Sequence, residues 1–167
     1  MTDADASTFV YVTYIRTTPE QLWAALTRPE FTRQYWFGTH QESDWKVGSS
    51  WQIRFADGRI ADTGEVVQAD PPTRLVLRWR NEFMPELKAE GYSRCTMELE
   101  SKGAAVKLTL THTMERSGSR FIEAVSGGWP IILSNLKSLL ETGELAMQTE
   151  VATSQPEGSG ERVAPRH

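Results

Sequence analysis

The chain has one cysteine, three scattered histidines and no cluster of positive charge. Cys95 alone closes no internal disulfide and offers no second thiol to a Cys-based metal site. His40, His112 and His167 have no metal-ligand spacing, so no metal is expected. Eighteen basic residues lie dispersed among 22 acidic ones, for a net charge of -4, which excludes the clustered phosphate contacts of a nucleic-acid binder and the basic patch of a membrane binder. No apolar run approaches the roughly 20 residues needed to cross a bilayer. The start, MTDADASTF, lacks the basic and apolar regions of a secretory signal, so a cytoplasmic protein is expected. There is no G-x-S-x-G elbow, phosphate-binding loop or dinucleotide fingerprint, and hence no catalytic set or cofactor to assign.

What the 167 residues do contain is 39% hydrophobic side chains, with six tryptophans among them. That is enough for the core of one domain. The domain is expected over 8–146, between tails at 1–7 and 147–167 that have little to bury and are expected to be disordered. FVYVTYI, from Phe9 to Ile15, reads as a strand. Thr18 caps and Pro19 opens a first short helix, PEQLWAALT, with Leu22, Trp23 and Leu26 at helical spacing. Pro29 stops it, and Glu30 to Trp36 restarts as a second. The period then changes to two. Trp51, Ile53 and Phe55 share a face, and Asp57-Gly58 makes a hairpin turn. A strand from Ile60 to about Ala69 follows, then Pro71-Pro72 turns the chain. Leu75, Leu77 and Trp79 alternate with Val76, Arg78 and Arg80. After a loop from Asn81 to Gly91, Cys95, Met97 and Leu99 form one inward face, and Val106, Leu108, Leu110, His112 and Met114 form another. Such alternation predicts an antiparallel meander with one wet and one covered face.

The cover is GWPIILSNLKSLLETGE, from Gly128 to Glu144. Trp129, Ile132, Leu133, Leu136, Leu139 and Leu140 fall on one helical side. Pro130 fits a first turn, so the helix is expected to begin near Trp129, with Gly127-Gly128 as a joint after a separate segment carrying Phe121, Ile122 and Val125.

The segments TTPEQLWAALTRPEFTRQYW, GEVVQADPPTRLVLRW and GWPIILSNLKSLLETG, in this order, resemble the bacterial AHSA1-like proteins of the START-like, or SRPBCC, superfamily. The likeness covers residues 9 to about 146. It implies an α+β helix-grip fold of the Bet v 1 type: a curved antiparallel sheet around a long C-terminal helix, two short helices after the first strand, and a cavity between sheet and helix. The family brings no shared catalytic set. The related eukaryotic co-chaperone has a further N-terminal domain that contacts Hsp90 and this chain has no room for one, so an Hsp90 homologue is not an expected partner.

Six residues are expected to surround a small, largely apolar ligand. Trp51, Phe55, Trp79, Phe121 and Trp129 project toward the covered space as aromatic walls. His112, in phase with Leu110, is the candidate polar anchor, or else a structural histidine bonded to a neighbour. Two alternatives accompany the binding reading. One is a polyketide cyclase-like enzyme, which needs two inward ionisable groups; Glu65 qualifies only if its strand phase turns it inward, which GEVVQA leaves open. The other is a co-chaperone or interaction module with an exposed apolar patch. The 81–91 loop is either a flap over the pocket mouth or an ordinary connection, and Cys95 is expected to be an inert buried thiol. A homodimer is compatible with every reading.

Overall fold

A computed structural model describes residues 6–148, so most of the tails expected at 1–7 and 147–167, namely 1–5 and 149–167, lies outside the described residues. The chain runs β1 (Ser7–Ile15), α1 (Pro19–Thr27), α2 (Pro29–Tyr35), β2 (His40–Ser43), β3 (Ser50–Arg54), β4 (Ile60–Asp70), β5 (Arg74–Asn81), α3 (Pro85–Lys88), β6 (Ser93–Lys102), β7 (Ala105–Met114) and α4 (Arg120–Thr142). Ser7, assigned above to the tail, is the first residue of β1, and its Oγ donates to the Arg116 carbonyl at 2.7 Å.

The seven strands form one curved antiparallel sheet in the order β1-β7-β6-β5-β4-β3-β2. Only β1 leaves sequence order, closing beside the last strand. Register irregularities at Ile53/Arg54 and between Val66 and Gln68 interrupt the ladders of β4, and such bulges bend a strand and increase its twist. Alternation sets the covered face. On β7, Val106, Leu108, Leu110, His112 and Met114 are buried, while the residues between them are partly exposed. The inward phase of β4, fixed by Val66, places Asp62 inward and Glu65 outward, opposite the exposed Arg78. Glu65 therefore points away from the covered face.

Thr18 Oγ1 accepts from the Gln21 amide at 3.1 Å to start α1. The ring of Pro29 holds Arg28 extended and ends that helix. The Tyr35 hydroxyl donates to the Ala25 carbonyl at 2.6 Å, locking α2 against α1. His40, expected in a connection, instead begins the edge strand β2, whose Gln41 pairs with Ile53.

The largest departure from the sequence reading is α4, which is continuous through Gly127, Gly128 and Pro130. Pro130 removes one backbone donor and crowds the carbonyl four residues earlier, at a cost of about 3 kcal/mol. Burial offsets it. Phe121, Ile122 and Trp129 before the proline and Ile132, Leu133 and Leu136 after it are all buried, and each contributes about 1.5–3 kcal/mol before entropy is counted. The helix starts at Ser119, whose Oγ accepts from the Ile122 amide at 3.0 Å, and ends at Gly143 in the left-handed region. Its C-terminal half is tied to β1: Lys137 Nζ donates to the Tyr14 carbonyl at 2.6 Å, and Glu141 accepts from the Arg16 amide at 2.8 Å.

Candidate functional site

Between the N-terminal half of α4 and the β4–β5 region lies a cavity of about 630 Å³. Asp62, Trp79 and Asn81 line it from the sheet, and Phe121, Val125, Trp129 and Ile132 from α4. Phe83, Met84 and Leu87, on and beside α3, form another wall, and Trp36 and Phe37 close the end next to α2. The exposed Glu86, Arg120 and Glu123 stand at the rim.

Local geometry explains how these groups are held. Gly64 lies opposite both Trp51 and Trp79 in the ladders, and a Cβ there would sit 1.7 Å from the Arg78 carbonyl oxygen. A side chain is thus excluded, and the two indoles meet beside it with centroids 4.7 Å apart. Phe37 has φ of 55°, a costly conformation for a bulky residue, where the chain turns out of α2 and presents Trp36 and Phe37 to the cavity. The 81–91 connection is pinned at several points. Asn81 Oδ1 accepts from the Met84 amide at 2.8 Å, and Glu82 pairs with Arg80 at 2.7 Å and Lys88 at 3.1 Å. Burial works against the Glu82 carboxylate, but Arg80, Thr63 and Lys88 outweigh it and hold its pKa at about 2. Glu90 accepts from the Ser119 hydroxyl at 2.7 Å and from the Arg120 amide at 2.8 Å, binding the far end of the connection to the start of α4.

His112 has no exposed surface. Trp129 Nε1 donates to its Nδ1 at 3.1 Å, and its Nε2 lies 2.8 Å from Ser93 Oγ. An indole N–H only donates, so Nδ1 is unprotonated and the proton of the neutral ring sits on Nε2. The chain is then directed: His112 donates to Ser93 Oγ, and Ser93 donates to the Trp79 carbonyl at 3.0 Å. Burial pushes the imidazole pKa down to about 3, which keeps the ring neutral. Both nitrogens are occupied in fastening the Trp129 and Trp79 walls together.

Asp62 presents the opposite case. It is 7% exposed, lines the cavity, and one carboxyl oxygen, Oδ2, accepts from Trp79 Nε1 at 2.8 Å. Among the described residues nothing hydrogen-bonds Oδ1. Burial pushes the carboxyl pKa up to about 7, the Trp79 bond opposing and the nearby Glu82 charge adding to the rise.

Of the six residues expected at the site, Trp79, Phe121 and Trp129 line the cavity, and Trp51, Phe55 and His112 stand behind it. The Trp51 indole packs against Trp79 and donates to Gln41 Oε1 at 2.9 Å. Phe55 backs the wall residue Phe83 edge-on at 5.2 Å. His112 lies behind Trp79, with ring centroids 4.9 Å apart, as a latch between the Trp79 and Trp129 walls. The polar lining residues Asp62 and Asn81 and the wall residue Trp36 were not anticipated. Strand phase carried the signal for two of them: Asn81 continues Leu77 and Trp79, and Asp62 lies four residues before Val66. Among the described residues no three His, Cys, Asp or Glu side chains gather to hold a metal ion, and no helix is long and apolar enough to cross a membrane.

A family model described as activator of Hsp90 ATPase homolog 1-like protein matches residues 16–141. The chain belongs to this family. Several solved structures share the AHSA1-like architecture. CalU16 from Micromonospora echinospora is 18% identical, with a TM-score of 0.67 over 85% of this chain and 82% of that one. An Aha1 protein from Colwellia psychrerythraea, described as a dimer, is 20% identical, with a TM-score of 0.66 over 82% of this chain and 98% of that one. An Hsp90 activator from Plasmodium falciparum is 26% identical, with a TM-score of 0.65 over 80% of this chain and 96% of that one. A comparison with curated protein sequences finds no match.

Proposed function

We propose that this AHSA1-like protein is a cytoplasmic, non-catalytic carrier or sensor of a small, largely apolar molecule held between β4–β5 and the N-terminal half of α4. The observation that carries the reading is the cavity itself. Its volume of about 630 Å³ falls within the range of small-molecule sites, and its lining joins aromatic and aliphatic walls to a few buried polar groups. In this reading Trp36, Trp79, Phe83, Phe121 and Trp129 grip the apolar body, while Asp62 and Asn81 orient it. Trp51, Phe55 and His112 hold those walls in place. The test is native mass spectrometry of protein purified from its host, with a thermal-shift screen of apolar compounds. The expected results are a bound small molecule and hits that raise Tm, both lost when Ala124→Trp fills the cavity. Protein that carries nothing and responds to no compound would contradict the reading.

One observation favours a second reading, an acid-base enzyme of the polyketide cyclase-like kind: Asp62 is a buried ionisable group on the wall of a largely apolar pocket. Such chemistry calls for a second group within reach, and the other ionisable residues lining the cavity, Glu86, Arg120 and Glu123, stand at its exposed rim.

A further inference from the structure

We propose that the occupant of the cavity is a lipophilic amine, whose ammonium group is received by Asp62 in a space walled by the indoles of Trp36, Trp79 and Trp129. This rests on the ligand-binding reading above and specifies its chemistry.

Three features of the site support it. First, Asp62 is the one buried ionisable side chain among the residues lining the cavity. Trp79 occupies only one of its oxygens, which leaves the other open to a ligand's donor. The carboxyl is not needed for Trp79: an asparagine of the same shape would accept the same indole N–H, without the cost of ionising in a desolvated place. Second, the surrounding walls suit a cation. Trp36 packs against Trp129 at 5.2 Å and against Trp79 at 6.0 Å, and Trp79 lies 5.8 Å from Trp129. A positively charged ligand in this cavity would meet indole walls, the strongest aromatic partners of a positive charge. Third, the charges at the mouth have the complementary sign. Two carboxylates, Glu86 and Glu123, and one guanidinium, Arg120, stand at the rim. A neutral ligand would gain nothing from this arrangement, and an anionic one would meet Asp62 as a repulsive charge.

The raised pKa of Asp62 fits the same picture. Burial deprives its carboxylate of solvation, and an incoming ammonium supplies what the solvent no longer does, drawing the group into its charged form.

The experiment compares three probes of one shape, naphthylethylamine, naphthylethanol and naphthylacetic acid, by isothermal titration of the full chain. The expected order is amine first, by about tenfold over the alcohol, with the acid weakest. In Asp62→Asn the amine should fall to the affinity of the alcohol. If the alcohol binds wild type as tightly as the amine does, or the acid binds best, the amine assignment is overturned while the apolar-ligand reading survives. If the amine keeps its advantage in Asp62→Asn, the role given to Asp62 is overturned. If no probe binds, both the reading and the assignment fall.

Discussion

Trp79 separates two buried ionisable residues that the fold treats in opposite ways. On one side His112 is enclosed, with both nitrogens bonded and its ring packed against Trp79. Next to this region, among Leu26, Tyr35, Gln41, Met97 and Leu133, a second opening beside Trp79 holds about 10 Å³, scarcely room for one water. On the other side Asp62 has one oxygen bonded and lines a space sixty times larger in order of magnitude, about 630 Å³. A polar group whose capacity is fully spent within the protein works for the protein. One held half-spent at the edge of a cavity is available to something else.

The two residues also respond to pH with opposite sign. Burial holds the folded His112 at about 3, below its ordinary 6.5, so the unfolded chain takes up a proton that the folded ring refuses. Its contribution to stability is full above pH 6.5 and drains away as pH falls toward 3. Asp62 is raised from 3.8 to about 7, so the folded state holds its proton longer than the unfolded chain. Its contribution is full below pH 3.8 and is lost as pH rises through 7.

The strongest way to break the comparison is at the closed side. His112→Ala should cost about 3–5 kcal/mol, through a cavity in the core and the loss of partners for Trp129 Nε1 and Ser93 Oγ. Chemical denaturation at neutral pH measures this, and a loss below about 1 kcal/mol would mean that the latch carries little. A smaller change of opposite sign sharpens the contrast at the open side. Asp62→Asn should stabilise the ligand-free protein by about 1–3 kcal/mol at about pH 8, and by almost nothing at about pH 4, because only the charged form is penalised. The other charged groups near Asp62 are Glu82, already paired with Arg80 and Lys88, and the rim residues Glu86, Arg120 and Glu123. None of them is altered by this substitution. Denaturation curves at the two pH values test the sign directly.

Strand phase made most of the fold legible. The alternation of Val106 to Met114 and of Leu75 to Trp79 reads straight onto the covered face, and the Thr18-Pro19 start of α1 is local chemistry. The start of α4 was not legible, because Gly-Gly-Trp-Pro is a strong local breaker and only burial on both sides of Pro130 overrides it. At the site, the inward direction of His112 was readable, but its role depended on Ser93 and Trp129, which approach it from other elements. Asp62 was overlooked because a carboxylate in an antiparallel strand ordinarily faces water. Its phase with Val66 pointed inward, and no local feature signals that an acid will be left half-bonded in a cavity.

The most direct test of this account is a carbon-13 NMR titration of the Asp62 carboxyl, in the free protein and with naphthylethylamine bound. The account predicts a midpoint at about 7 in the free protein, moving clearly downward when the amine is present. A free-protein midpoint in the ordinary aspartate range near 4, or one that the amine leaves unmoved, would contradict it.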